Sequence, residues 1–155
     1  RNNFVAITQL RPYMPHDLQG VEWIAVGSNT FNEAVPFYTH INATPAYLAN
    51  TTGDVTTESF YWANRIVAAM ADAHYPACLA HVERYQLALS TAGHAMLKRF
   101  DEQYLAAPEK DAAAYLTACN QQLADKARKL TDDLLSKVLF SASMEMKNGF
   151  HMSDF

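Results

Sequence analysis

The sequence predicts an α+β fold that is mostly helical, with two or three antiparallel strands followed by a three-helix region that contains a long helical hairpin. Two observations support this class. The first 56 residues hold nearly all of the β-branched runs and four of the six prolines, which separate short apolar stretches. From residue 57 onward the chain is rich in Ala, Leu, Lys, Glu and Gln, and its apolar residues recur at helical spacing.

Three short segments near the start are predicted to be extended. Residues 4–10 carry apolar side chains on both alternating faces, which predicts a strand that is buried on most of both faces. Residues 21–26 form a second strand, and the short loop between the two favours antiparallel pairing. Residues 34–38 form a third extended piece, in which Pro36 favours a sheet edge or a non-strand segment because proline has no N–H to donate. A polar loop is expected over residues 40–56.

A first helix is predicted to begin at a cap formed by Thr56 or Thr57 and to run to about His74. Pro76 then restarts the chain, and a long second helix covers residues 77–106. Each helix has an apolar stripe at helical spacing, so each is expected to bury one face.

The third helix is expected to start at Pro108, where the missing N–H is harmless, and to run to about Met146. The possibility of a break in this helix near Thr131 stays open. Asn148 and Gly149 form a typical C-terminal stop. The second and third helices are predicted to pack as a long antiparallel hairpin.

The predicted strands cannot bury their own apolar faces, because two or three strands need further strands beside them and layers above and below. We therefore expect residues 1–155 to be a portion of a larger protein, with strands in residues 1–40 and helices in residues 57–147. Two alternatives stay open: the first two helices wrap both faces of the sheet, or a homodimer completes it.

Composition and charge narrow the classes of partner. The net charge is −4 and 18% of the residues are charged, which gives no electrostatic reason to expect nucleic acid or an anionic membrane as a partner. No apolar stretch is long enough to span a bilayer. The two cysteines, Cys78 and Cys119, form no metal or redox motif, and so few cysteines favour a reducing compartment such as the cytoplasm. A disulfide between them is left open.

One group of residues has the chemistry of a metal site. His74, Cys78 and His81 fall on one helical face, and soft N and S ligands suit zinc. However, Pro76 interrupts that face and no fourth ligand is evident, so we expect neither a metal nor another cofactor. The sequence also contains no Gly-x-Ser-x-Gly, phosphate-binding loop or dinucleotide fingerprint.

Six short motifs occur in an order that is typical of one enzyme family. They are Gln9–Pro15, Gly20–Ser28, Val35–Tyr38, Thr44–Tyr47, Phe60–Arg65 and Glu83–Gln86. This ordered set resembles the C-terminal region of the dipeptidase D family, and beyond about residue 86 the resemblance is one of character more than of motif.

The resemblance implies an N-terminal-nucleophile hydrolase, whose fold stacks two sheets between two helical layers as a four-layer αββα arrangement. In such enzymes the catalytic cysteine is the first residue of the mature chain, and its own α-amine serves as base. This chain starts with Arg1, and Cys78 and Cys119 lie within predicted helices. We therefore expect no catalytic residue in this chain and an N-terminal cysteine upstream of it, so that the chain alone is inactive.

The resulting hypothesis is the C-terminal segment of a dipeptidase that hydrolyses small unblocked peptides, with the N-terminal catalytic part of the same protein as its partner. Asn2 and Asn3, together with Arg1, are the candidates for holding a substrate carboxylate or carbonyl; the alternative is that they form a frayed start. A noncatalytic helical module that forms a homo-oligomer through the hairpin is the alternative function. If Trp23 is fully buried, its replacement by Ala should lower the free energy of unfolding by about 3–5 kcal/mol.

Overall fold

The computed structural model of the chain describes residues 3–146. Within this range it has an α+β fold that is mostly helical, as the sequence predicts. A three-stranded sheet comes first and four helices follow, with short 3₁₀ turns at His16–Leu18 and Asn29–Phe31. The strands are β1 (Phe4–Leu10), β2 (Gly20–Val26) and β3 (Val35–Tyr38), and the helices are α1 (Ala46–Ala49), α2 (Phe60–Ala73), α3 (Tyr75–Ala106) and α4 (Ala112–Met144).

The sheet is antiparallel with the order β1-β2-β3. Trp23 at the centre of β2 lies opposite Ile7 of β1 and Pro36 of β3. Pro36 therefore occupies an edge strand, which confirms the prediction made from its missing N–H.

Burial falls steadily across the sheet from β3 to β1. All four residues of β3 are buried, β2 is partly buried, and five of the seven residues of β1 are exposed. The prediction that β1 is buried on both faces is wrong for this chain, since Phe4, Ile7 and Leu10 are 60%, 58% and 76% exposed. The helices pack mainly against β2 and β3, so the apolar first strand lies beyond their reach.

The helices α3 and α4 form the predicted antiparallel hairpin, connected by residues 107–111. The Tyr115 hydroxyl donates to the Phe100 carbonyl near the connection at 3.1 Å, and the hydroxyls of Tyr85 and Thr131 lie 3.0 Å apart further along. No break occurs at Thr131: α4 is continuous there, and the Thr131 hydroxyl donates to the Ala127 carbonyl. The hairpin and α2 enclose the main apolar core.

Helix starts differ from the predictions for local reasons. The helix α2 begins after Ser59 and not at Thr56 or Thr57, and the Thr56 hydroxyl instead accepts from the Glu58 N–H in a local turn. The helix α4 begins after Asp111, whose carboxylate accepts from the Ala114 N–H at 3.0 Å.

Three further predictions can be placed. Pro108 lies in the connection between α3 and α4, so it does not start a helix. The short helix α1 lies inside the segment predicted to be a polar loop. Asn148 and Gly149 lie outside the described residues.

Cys78 and Cys119 are both buried free thiols, so the structure contains no disulfide between them. Trp23 is only partly buried: its ring packs against His94 at 4.6 Å between centroids, and its indole N–H donates to the Gln9 side chain. The stability cost predicted for a fully buried Trp23 therefore does not apply in this chain. Across residues 3–146, no helix combines the length and the apolar character that crossing a bilayer requires.

Candidate functional site

A groove of about 680 Å³ lies between the sheet, the segment after β3 and the start of α2. Its walls combine apolar side chains with threonine hydroxyls and amides, and this mixture is typical of sites for small molecules. It is lined by Asn3, Phe4, Glu22, Ile24, Val26, Phe37, Tyr38, Thr39, Ile41, Thr44, Pro45, Leu48, Thr51, Phe60, Tyr61 and Asn120.

The alternation of strand β2 places Glu22, Ile24 and Val26 on the face that lines this groove. Glu22 lies opposite Thr8 of β1 and Phe37 of β3. Its side chain is partly buried, and among residues 3–146 it has neither a hydrogen-bond partner nor an ion-pair partner. The groove therefore contains a carboxylate without a local counter-charge.

Asn3 lies at the rim of the groove and is held in place by two bonds. Its backbone carbonyl accepts from the Gly27 N–H at 3.0 Å, and its side-chain oxygen accepts from the Arg65 guanidinium at 3.1 Å. Asn3 thus continues the β1–β2 ladder by one further pair. Its role in substrate binding stays a prediction, and Arg1 and Asn2 lie outside the described residues.

The wall of the groove at β3 is fixed by buried polar contacts. The Asn120 side chain accepts from the Tyr38 N–H and donates to the Tyr38 carbonyl, both at 2.9 Å. The Tyr38 hydroxyl donates to Asp101 at 2.8 Å, and Asp101 also pairs with the buried Arg11. Burial, and then the charge of Asp101, raise the pKa of Tyr38 far above its ordinary value. Tyr38 is consequently a neutral structural donor at physiological pH.

A second buried network lies inside the helical layer. The Tyr85 hydroxyl is within 3.0 Å of the Asn32 side-chain oxygen and the Thr131 hydroxyl, and 3.3 Å from the Asn64 side-chain oxygen. Burial raises the pKa of Tyr85. The network joins the loop that contains Asn32 to α2 and α4. Because Tyr85 is only 5% exposed and does not line the groove, the network performs no chemistry on a ligand.

The thiols do not supply a nucleophile to the groove. Cys78 in α3 and Cys119 in α4 are at most 2% exposed, and neither lines the groove. Burial raises the pKa of both thiols, which disfavours the reactive thiolate. The described lining of the groove therefore contains no thiol.

The residues weighed as metal ligands do not assemble. His74 is bound to Glu145 at 2.7 Å, and Cys78 is enclosed in the core. The structure instead brings together His16, Asp17 and His40 at the surface, and within the described range this is the only group of three or more such side chains whose ligand atoms lie within 4.8 Å of one another. The Asp17 carboxylate there accepts from the Tyr104 hydroxyl.

Comparison with known proteins connects the chain to a family of enzymes. Residues 1–88 match the family described as Peptidase family C69. The chain belongs to peptidase family C69. Relatives of this C69 chain confirm the resemblance to dipeptidases, and they match it along its whole length.

Three relatives illustrate the relationship. A dipeptidase of Bifidobacterium longum is 39% identical and covers all of this chain, which spans 36% of that protein. A probable dipeptidase A of Streptococcus pyogenes is 40% identical over 99% of the chain and 32% of its own length. A probable dipeptidase B of Lactococcus lactis is 35% identical over the same shares. The C69 chain thus spans about a third of the length of the curated relatives it matches.

Of the residues that line the groove, sequence reasoning singled out Asn3 but not Glu22. A signal was present, because Glu22 is the only charged residue within the apolar strand Gly20–Val26. The alternation of that strand could have placed it on the same face as Ile24 and Val26. This face borders an open groove only because of the path taken by the segment after β3. The periodicity of the sequence does not specify that path.

Proposed function

We propose that this C69 chain is the C-terminal part of a dipeptidase that hydrolyses small unblocked peptides. The observation that carries the proposal is the match, along the whole chain, to proteins named dipeptidase that are about three times as long. The chain contributes a wall of the substrate site and a helical layer, and the reaction itself takes place on residues outside it.

The proposed chemistry uses an N-terminal cysteine in the longer protein. Its thiolate attacks the peptide carbonyl carbon, the α-amine carries the proton to the departing amine, and the C–N bond breaks to leave a thioester. Water then attacks the thioester and releases the free thiol and the acid. The burial of Cys78 and Cys119 supports a nucleophile elsewhere, since neither thiol can reach the groove.

The open edge of the sheet supports a larger αββα fold. Ladder bonds at Asn3–Gly27 and Arg11–Gln19 place the odd-numbered residues of β1 in hydrogen-bonded pairs with β2. The backbone groups of the even-numbered residues Phe4 to Leu10 therefore point away from β2, toward an edge that no strand within residues 3–146 pairs with. We propose that a strand from the N-terminal catalytic part pairs there and that its layers cover the exposed apolar side chains.

The activity is tested on the longer protein that contains this chain. We expect the longer protein to hydrolyse unblocked dipeptides such as Leu-Leu, as measured by release of free leucine, and we expect replacement of its N-terminal cysteine by alanine to abolish this activity. The isolated chain should be inactive. Hydrolysis by the isolated chain, or none by the longer protein, would contradict the proposal.

The contact at β1 has its own test. Leu10→Lys should change the free energy of unfolding of the isolated chain by less than about 0.5 kcal/mol, because Leu10 is 76% exposed. In the longer protein it should cost about 3 kcal/mol or more, since it would bury an unpaired charge. Leu87→Lys on the exposed face of α3 is the matched control, with little effect in either protein. Equal effects of Leu10→Lys in the two proteins would exclude a covered β1.

A second function is favoured by a separate observation. Leu139, Phe140 and Met144 near the end of α4 are 55%, 66% and 72% exposed, and this apolar patch suits a helical module that forms a homo-oligomer. Light scattering of the isolated chain and of Phe140→Glu tests this alternative. A concentration-dependent dimer that the substitution dissociates would support it, and a monomer would exclude it.

A further inference from the structure

Glu22 is the one charged residue among the described side chains that line the groove. Its neighbours across the strands are a threonine and a phenylalanine, so neither can neutralise it. Other partly buried carboxylates of the chain are satisfied: Asp101 binds Arg11 and Tyr38, and Asp17 binds Tyr104. The Glu22 carboxylate is partly buried beside apolar side chains and has no partner among residues 3–146, so the charge complementarity of the groove points to a cationic ligand.

The rest of the groove limits what kind of cation fits. Ile24, Phe37 and Leu48 provide an apolar surface, while Thr44 and Thr51 provide hydroxyls. A ligand with a compact ammonium group next to an apolar side chain and amide groups would satisfy all three features. The amino-terminal end of a small unblocked peptide has this composition. The volume of about 680 Å³ is in the range typical of small-molecule sites.

We propose that the Glu22 carboxylate binds the α-ammonium group of an unblocked peptide in this groove and thereby selects substrates with a free amino terminus. This inference rests on the proposed peptidase function and names the residue that sets its substrate class. Asn3 at the rim is suited to bind a peptide carbonyl through its amide nitrogen, because its side-chain oxygen is already used by Arg65. Glu22 is a binding residue and takes no part in bond breaking.

The test compares a ligand that has a charged amino terminus with one whose amino terminus is acetylated and neutral. Leu-Leu and N-acetyl-Leu-Leu are titrated into the longer protein with its N-terminal cysteine replaced by alanine, so that binding is measured without turnover. Glu22→Gln removes the charge and keeps the shape, and Glu22→Asp keeps the charge on a shorter side chain. Glu83→Gln, at an exposed position of α3, is the matched control.

We expect Glu22→Gln to weaken binding of Leu-Leu by roughly tenfold to a hundredfold, the equivalent of one charge-assisted hydrogen bond, and to leave N-acetyl-Leu-Leu unchanged. Glu22→Asp should fall between Glu22→Gln and the wild type, and it serves as the test if Glu22→Gln does not fold. In the active enzyme, Glu22→Gln should raise KM for Leu-Leu with little change in kcat.

Two results would overturn the inference. One is an equal loss of affinity for the free and the acetylated peptide, which would indicate a structural role. The other is unchanged binding of Leu-Leu by Glu22→Gln. The proposed function fails separately, if the wild-type longer protein binds unblocked peptides but hydrolyses none of them.

Discussion

At the scale of single residues, the interior of the chain satisfies nearly all of its buried polar groups. Asn64, Asn120 and Thr131 are at most 1% exposed, and each makes a hydrogen bond at its side chain. The Tyr47 hydroxyl is an exception, since it is buried without a hydrogen-bond partner among residues 3–146. Tyr47 and Tyr85 thus offer a matched pair of buried phenols with opposite hydrogen-bonding states.

Replacing each of these phenols by Phe should give opposite results. Tyr47→Phe should leave the free energy of unfolding unchanged or raise it by up to about 1 kcal/mol, because it removes an unsatisfied buried hydroxyl. Tyr85→Phe should lower it by about 1–3 kcal/mol, because Asn32 and Thr131 lose a partner. Urea denaturation measures both. Equal losses for the two variants would contradict the assignment of partners.

A close backbone approach explains the glycine in the middle of α3. A Cβ on Gly93 would lie 2.8 Å from Pro36 Cδ, which belongs to a rigid ring on β3. Gly93→Ala gains about 1 kcal/mol of helix propensity but forces an overpacking cost of about 1–3 kcal/mol, so a net destabilisation of about 1 kcal/mol is expected. Thermal unfolding tests it, with Gly53→Ala in open space as control. A stabilised Gly93→Ala would show that β3 can move away.

At the scale of elements, the two edges of the sheet differ in how their outward backbone groups are bonded. The backbone groups of Tyr38 on the β3 edge are bonded by the side chain of Asn120, so α4 takes the place of a neighbouring strand there. The β1 edge has no such cover from the described helices. Among the described residues, β1 is therefore the edge of the sheet that stays open to pairing.

The role of Asn120 at this edge can be measured directly. Asn120→Leu should lower the free energy of unfolding by about 2–5 kcal/mol, because it leaves the Tyr38 N–H and carbonyl buried without partners. Gln121→Leu also replaces an amide side chain by Leu, at the exposed next position of the helix, and should stay within about 0.5 kcal/mol of the wild type. If the two variants have similar stability, Asn120 does not hold the edge of β3.

At the scale of the whole molecule, buried phenols link the sheet to all of the long helices. Tyr38, Tyr47 and Tyr85 are at most 6% exposed, and burial is the largest cause that raises the pKa of each. In the unfolded chain, by contrast, these phenols ionise near their ordinary value of 10. The folded state holds their protons more tightly than the unfolded state does.

Stability should consequently fall in alkali. The contribution of the three phenols is complete below about pH 10 and is lost progressively above it, because the unfolded chain then releases protons that the folded chain retains. Each phenol contributes a slope of up to roughly 1.4 kcal/mol per pH unit. Urea denaturation between pH 8 and pH 11 measures the slope above pH 10, which Tyr47→Phe should reduce and Tyr13→Phe, at an exposed position, should not. A slope unaffected by Tyr47→Phe would contradict this account.

The sequence by itself determined the class of the fold, the three strands and the long hairpin, because alternation and helical spacing are local patterns that each segment carries in its own residues. It also showed the family, through motifs that run in order along the chain. Helix starts were placed less well, since several residues near each start can bind a nearby backbone N–H: the Thr56 hydroxyl does so in a turn before α2, whereas the Asp111 carboxylate caps α4.

Only the tertiary structure decided what the strands face. The apolar alternation of β1 is the same whether that strand is covered or open, and its exposure depends on how far the helices reach across the sheet. In the same way, the surroundings of the lone charge of Glu22 are set by a groove that is lined by residues far apart in the chain. Burial and charge pairing are properties of neighbours in space, and the local pattern of a strand does not specify those neighbours.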